Sequence, residues 1–169
     1  MTKSLLADPF DHHVWATIRV IDACLALSPE QLGTAVPGTY GSILDTARHL
    51  VGADASYLYV LTGGQVPRID EDRMDLRELR AAMERNGAAW SSLLARDLDP
   101  DVVLVRQRDD GSETHAPIGI RLAQALHHGT DHRSQICTAL TTLGVKPPDI
   151  DVWDYAWQDG RLTEIPPAS

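Results

Sequence analysis

An all-α fold is what this 169-residue sequence predicts: four long helices, with one small β-hairpin before the last of them. Apolar residues recur at spacings of three and four through four long segments, the mark of helices with one buried face. Breaks such as "VPGTYGS" and Gly63-Gly64 separate those segments. A single β-rich run, "VVLVRQ", is followed by an Asp-Gly turn and a mixed polar run, which reads as a hairpin. Four long helices joined by short loops and a hairpin describe a helix bundle, and the length suits one domain over residues 1–169. The long connection between the second and third helices leaves the packing order open.

The first helix is expected from about Pro9 to Leu27, with Phe10, Val14, Ile18, Ile21 and Leu25 along one face. Asp8 before Pro9 suits an N-cap followed by proline at the first helical position. "SPEQL" is expected to form a short helical turn or a loop. The second helix runs from about Ser42 to Leu61, and Gly63-Gly64 ends it. A third, from about Asp75 to Arg96, lines up Leu76, Leu79, Met83, Trp90 and Leu94. The fourth spans about Ile118 to Leu143, with Gly144 as its left-handed C-terminal residue. "KPPDIDVWDYAW" reads as a proline-led tail with a short helical turn, too aromatic to be left in solvent.

Composition narrows the partners. With 43% hydrophobic and 23% charged residues the chain is globular rather than disordered. A net charge of −9 without any basic stripe argues against nucleic acid, whose phosphates require a basic surface. No apolar run approaches the roughly 20 residues needed to span a bilayer. The N-terminal stretch lacks the apolar core of a secretory signal. Cys24 and Cys137 are too few and too far apart in sequence for a disulfide framework, so a reducing cytoplasm is the expected compartment.

The densest chemistry lies in "HHGTDHRSQ", residues 127 to 135. On a helix His128 and His132 share one flank of the stripe Leu122, Leu126, Gly129, Ile136 and Leu140, while His127 falls on the opposite side. Two imidazoles four residues apart can reach one ion from adjacent turns. A solvated face or a satisfied buried cluster explains the same pair, and a metal needs a third ligand. His49 is the candidate, at the edge of the apolar arc of the second helix between Leu50 and Arg48. Asp54 lies in the middle of that arc, where a carboxylate is costly unless paired. It calls for a cation, a histidine N–H or a capping role; support for a metal-bound imidazole is one function for it, and an internal hydrogen bond to a tyrosine or arginine is another. His12 and His13 are consecutive, so at most one faces inward, and His115 is expected in solvent. No G-x-S-x-G elbow, reactive cysteine motif or phosphate-cradling loop is present.

"GSILDTARHL", then "HHGTDHRSQI" and "LGVKPPDIDVWDYAW", resemble the DinB-like (DinB/YfiT) metal-binding superfamily over essentially the whole chain. The most specific motif is H-x-x-x-H-R-x-Q, here His128, His132, Arg133 and Gln135. The resemblance implies an up-down-down-up four-helix bundle with the hairpin before the last long helix. It also implies a facial triad of His49, His128 and His132 for a divalent metal, leaving His127 outside. Relatives often carry glycine at the position of Ser134, and the region of His12 and His13 varies among them, so the substrate-facing wall is not implied.

Characterised relatives of this kind include thiol-dependent transferases and isomerases. The resemblance thus implies a metal-dependent transferase, or a hydrolase-like relative, that uses a low-molecular-weight thiol against an electrophilic small molecule. Three imidazoles suit zinc or nickel first, and iron or copper after them. Asp54 and Gln135 are expected to support the ligands, and Tyr57 and Arg133 to contact substrate. The alternative is a non-catalytic metal-binding stress-response or regulatory module acting as a homodimer, with Trp153, Tyr155 and Trp157 at the interface.

Overall fold

The computed structural model describes residues 4–108 and 110–165. These residues form six helices: α1 (Ala7–Cys24), α2 (Pro29–Leu32), α3 (Ile43–Leu61), α4 (Leu76–Leu94), α5 (Ile118–Thr142) and α6 (Val152–Gln158). A 3₁₀ turn, Glu71–Arg73, precedes α4. Two antiparallel strands, β1 (Val103–Gln107) and β2 (Glu113–Pro117), lie immediately before α5, with Val103 opposite Pro117 and Gln107 opposite Glu113. None of the described helices is long and apolar enough to cross a membrane.

Local chemistry sets most of the helix starts. The Ser42 hydroxyl accepts the Asp45 N–H to cap α3, and Asp75 and Glu78 form a reciprocal capping box at α4. Such a cap stabilises a helix by about 1 kcal/mol because it satisfies backbone donors that have no intrahelical acceptor. Ser28 and Gln31 make the same box, so "SPEQL" is a short helix rather than a loop. Helix α1 departs from expectation. It begins at Ala7, with Leu6 at the N-cap and no side-chain cap. Asp8 lies inside the first turn, paired with Arg161 at 2.6 Å. Proline has no N–H to lose anywhere in a first turn, so Pro9 is tolerated two positions further in than expected. The C-terminal end of α5 matches expectation, with Gly144 in the left-handed region at φ 72°.

Helix α1 packs against α4 and α5, and α3 packs against the same two helices. Two apolar clusters result. One contains Val20, Ile21, Leu50, Leu79, Met83, Ile136 and Leu140. The other gathers Phe10, Leu58, Trp90, Leu93 and Leu122. On every long helix a polar stretch separates the residues of the two clusters: His13 and Thr17, Asp54, Asn86, and Arg133, all buried.

Asp54 is the hub of that polar layer. Its carboxylate accepts His13 Nε2–H at 2.9 Å, Asn86 Nδ2–H at 2.9 Å and Trp90 Nε1–H at 3.1 Å. Arg133 then donates to His13 Nδ1 at 2.9 Å and to the Thr17 hydroxyl at 3.1 Å. Between a carboxylate on one side and a guanidinium on the other, the neutral His13 ring carries its proton on Nε2. Gly129 makes this packing possible, because a Cβ there would stand 2.3 Å from His13 Cε1. Burial pulls the Arg133 guanidinium down to about 10, while the Asp54 charge opposes that fall.

The tail does not bury all of its aromatic residues as expected. Tyr155 packs 5.4 Å from Trp15 and 5.9 Å from His12, but Trp153 and Trp157 are 69% and 54% exposed. Residues 153 and 157 share a face of α6 while 155 turns the other way, so a single short helix cannot cover all three.

Removing the hub strands three buried donors and leaves Arg133 without its countercharge. Asp54→Ala is therefore expected to lower unfolding free energy by about 3–5 kcal/mol. Trp90→Phe, which deletes one donor, should cost about 1–2 kcal/mol. Urea unfolding of both variants checks the ranking, and an Asp54→Ala loss no larger than that of Trp90→Phe contradicts it.

Candidate metal centre

Helices α3 and α5 lie against each other, and three imidazoles meet between them. His128 Nε2 is 3.0 Å from His49 Nε2 and 3.1 Å from His132 Nε2. Donor atoms of all three rings fall within 4.8 Å of one another. The rings stand edge to face, at interplanar angles of 60°, 87° and 70°.

Two neighbours fix the rings. The Gln135 Oε1 atom accepts the Tyr40 backbone N–H at 3.0 Å and lies 3.0 Å from His132 Nδ1. An amide oxygen only accepts, so neutral His132 carries its proton on Nδ1 and offers a lone pair at Nε2. The Tyr40 ring stacks on His49 at 4.0 Å and 9°, holding that imidazole flat against the loop before α3.

Burial favours the neutral form of two of these rings. Burial, followed by the charges of His132 and His49, pushes His128 from 6.5 down to about 4, with Asp54 and Asp131 acting in the opposite direction. His49 is lowered by burial and then by His132. Two neutral imidazole nitrogens at this separation either share a proton or direct lone pairs at a common cation. Two nitrogens bound about 2.1 Å from one ion, at angles of 90–110°, sit roughly 3.0–3.4 Å apart, which matches the two short separations found here. By donor chemistry, three imidazoles suit a borderline divalent ion, with coordination positions left over for a small molecule.

His49 and His128 open onto a cavity of about 400 Å³ whose walls include Ser56, Tyr57, Arg68, Glu71 and Arg106. Glu71 reaches this wall because residue 52 is glycine: a Cβ there would lie 2.3 Å from Glu71 Cδ. A larger hollow of about 770 Å³, between α1, α5 and α6, contains none of the three histidines that meet.

The structure brings together His49, His128, His132 and Gln135, and it places Tyr57 on the cavity wall with its ring 5.8 Å from His128. Asp54 does not take the expected part. Its hydrogen bonds go to His13, Asn86 and Trp90, and only its charge reaches His128. Of the partners weighed for it the histidine N–H is present, from His13, while Asn86 and Trp90 stand in place of a tyrosine or arginine. Arg133 does not line the cavity onto which His49 and His128 open, but the larger hollow between α1, α5 and α6. It is 3% exposed and engaged with His13, Thr17 and Thr130. His127 is exposed. His12 donates to the Ile150 carbonyl at 2.8 Å and is half-buried. His115 is exposed beside Glu113. Tyr40 was not anticipated, because "VPGTYGS" was read only as a break. The one aromatic residue in that glycine-proline loop was the available signal.

Mostly helical, with a three-histidine cluster able to hold a metal ion, the molecule is of the small helical metal-site class. The chain belongs to the DinB family, whose model matches residues 1–165. Comparison with curated proteins gives no match.

The lowered His128 value has a definite sign. The unfolded chain protonates this ring near pH 6.5, whereas the folded, metal-free chain resists protonation until about pH 4. Its contribution therefore leaves stability unchanged above 6.5 and erodes it as pH falls towards 4. In thermal melts of chelator-treated protein, His128→Gln should show a shallower loss between pH 6.5 and 4.5 than wild type, and an unchanged slope contradicts the assignment.

Proposed function

We propose that this chain is a metal-dependent transferase acting on a low-molecular-weight thiol and an electrophilic small molecule, with a divalent ion held by His49, His128 and His132. Zinc or nickel is the first candidate for the ion, then iron or copper. The observation that carries the reading is the meeting of three imidazole nitrogens at the edge of a walled cavity. When bound, such an ion supplies Lewis acidity, which lowers the pKa of a thiol or water beside it. Gln135 holds the His132 tautomer, Tyr40 restrains His49, and Tyr57 and Ser56 offer hydroxyls to orient a substrate in the cavity. The whole chain is read as one DinB-like domain in the cytoplasm, a compartment in keeping with the two free thiols Cys24 and Cys137.

An up-down-down-up bundle is part of the same reading. In its support, α1 and α5 run from the Phe10–Leu122 cluster towards the Val20–Leu140 cluster, while α3 and α4 run the other way.

A second reading, a non-catalytic metal-binding stress-response or regulatory module that acts as a homodimer, draws on α6. Val152, Trp153 and Trp157 are 57%, 69% and 54% exposed there, and exposed tryptophan is a common interface residue.

One experiment separates the readings. Untagged protein, His132→Ala and His127→Ala are reconstituted with zinc, then assayed for bound metal and for thiol consumption with an electrophile. Near-stoichiometric metal and metal-dependent turnover are expected in wild type and His127→Ala, and both should be lost in His132→Ala. Metal without turnover supports the regulatory module. An inability of wild type to retain metal overturns both.

A further inference from the structure

We propose that the cavity beside the three histidines contains an anion subsite built on Arg106, with Arg68 at its rim. It would bind a carboxylate or phosphate group of a small substrate whose other end lies at the imidazoles. The proposal takes its biological meaning from the transferase reading, but the anion binding itself requires no metal.

Arg106 lies on β1 opposite Thr114 and is half-buried. Its Nε atom is shut off from solvent and has no hydrogen-bond partner. Among the described residues, no carboxylate pairs with this side chain. A buried donor left unmatched is costly, more so on a charged group. The guanidinium is a planar fork suited to carboxylate or phosphate oxygens, and its place on the cavity wall without a carboxylate partner leaves that fork to an anion in the cavity.

Neighbouring charges reinforce the case. Arg121 on α5 is 7% exposed and donates to the Leu104 and Thr114 carbonyls at 2.8 and 2.9 Å, which fastens the hairpin to the helix. Its own Nε is likewise unmatched. Burial, then the charge of Arg106, lowers the Arg121 guanidinium, so two like charges face each other across β1 and α5. Glu71 is the carboxylate that shares the cavity wall with Arg68 and Arg106. Two cations against one anion leave this wall positive before any metal ion is added. An adjoining hollow of about 430 Å³ also uses Arg68 and Arg106, and adds Arg108 and Asp110. Asp110 is engaged by the Ser112 N–H and hydroxyl at 2.9 and 2.7 Å. In a chain of net charge −9, a positive cavity is a local exception that concentrates small anions.

The test titrates succinate, and separately inorganic phosphate, into the metal-free full chain, with calorimetry or amide NMR shifts as the readout. At least one anion should bind saturably to wild type, and the larger affinity tells a carboxylate site from a phosphate site. Succinamide, the uncharged analogue of succinate, should not bind. Arg106→Gln should weaken binding about tenfold or more, the scale of a charge-assisted hydrogen bond. Arg106→Lys should weaken it less, and His127→Gln should have no effect. If Arg106→Gln fails to fold, Arg68→Gln at the exposed rim should still weaken binding about threefold. Wild type that binds neither anion, succinamide that binds as well as succinate, or Arg106→Gln with wild-type affinity overturns the proposal. Anion binding through Arg106 in a protein without thiol turnover keeps the subsite and removes the transferase reading.

Discussion

The buried charge of Asp54 is the constraint on which the rest of the molecule depends. A carboxylate at 2% exposure is tolerated only when its oxygens are fully engaged. Its partners come from α1 through His13 and from α4 through Asn86 and Trp90, while Arg133 of α5 enters through the far side of the His13 ring. All four long helices are therefore tied together at one level. Apolar clusters above and below this level would tolerate small rotations of a helix, since dispersion contacts are not directional. The polar layer does not, because each hydrogen bond requires a particular facing.

That restriction positions the metal centre. Asp54 fixes the rotation of α3, which places His49, five residues earlier, on the side facing α5. Arg133 fixes α5, and His132 and His128 fall on the adjoining flank. Gly129 belongs to the same device, for its missing side chain lets α1 bring His13 against α5. The three imidazoles then meet in partly buried surroundings that hold at least His49 and His128 in their neutral, ligand-competent form. The hairpin contributes from outside the bundle, where Arg121 fastens it to α5 and Arg106 thereby becomes part of the cavity wall.

Much of this was legible in the sequence. The long helices, the hairpin and the C-terminal end of α5 follow from apolar spacing and turn residues. His128 and His132 were separable from His127 by helical rotation alone. His49 was already the candidate third ligand from the residues, but its place at the edge of an apolar arc was compatible with several orientations, and the family resemblance singled it out. Asp54 was rightly singled out as a carboxylate that needs a partner, but its partners lie 41, 32 and 36 residues away in the chain, a relation that no local pattern encodes. Arg133 was misplaced for a related reason: its motif neighbours His132 and Gln135 serve the metal centre, yet one residue of helical rotation turns it to the opposite side of the layer. Arg106 was invisible in the sequence, since a strand arginine is ordinarily solvated and only the fold reveals its unmatched Nε.

The central claim is that His49, His128 and His132 bind one ion together. X-ray absorption at the metal edge of the zinc-loaded full chain tests it most directly. The account predicts three imidazole nitrogens at about 2.0–2.1 Å, falling to two in His49→Ala. Sulfur scattering at about 2.3 Å in metal-loaded protein free of added thiol, or only two imidazoles in wild type, would contradict it.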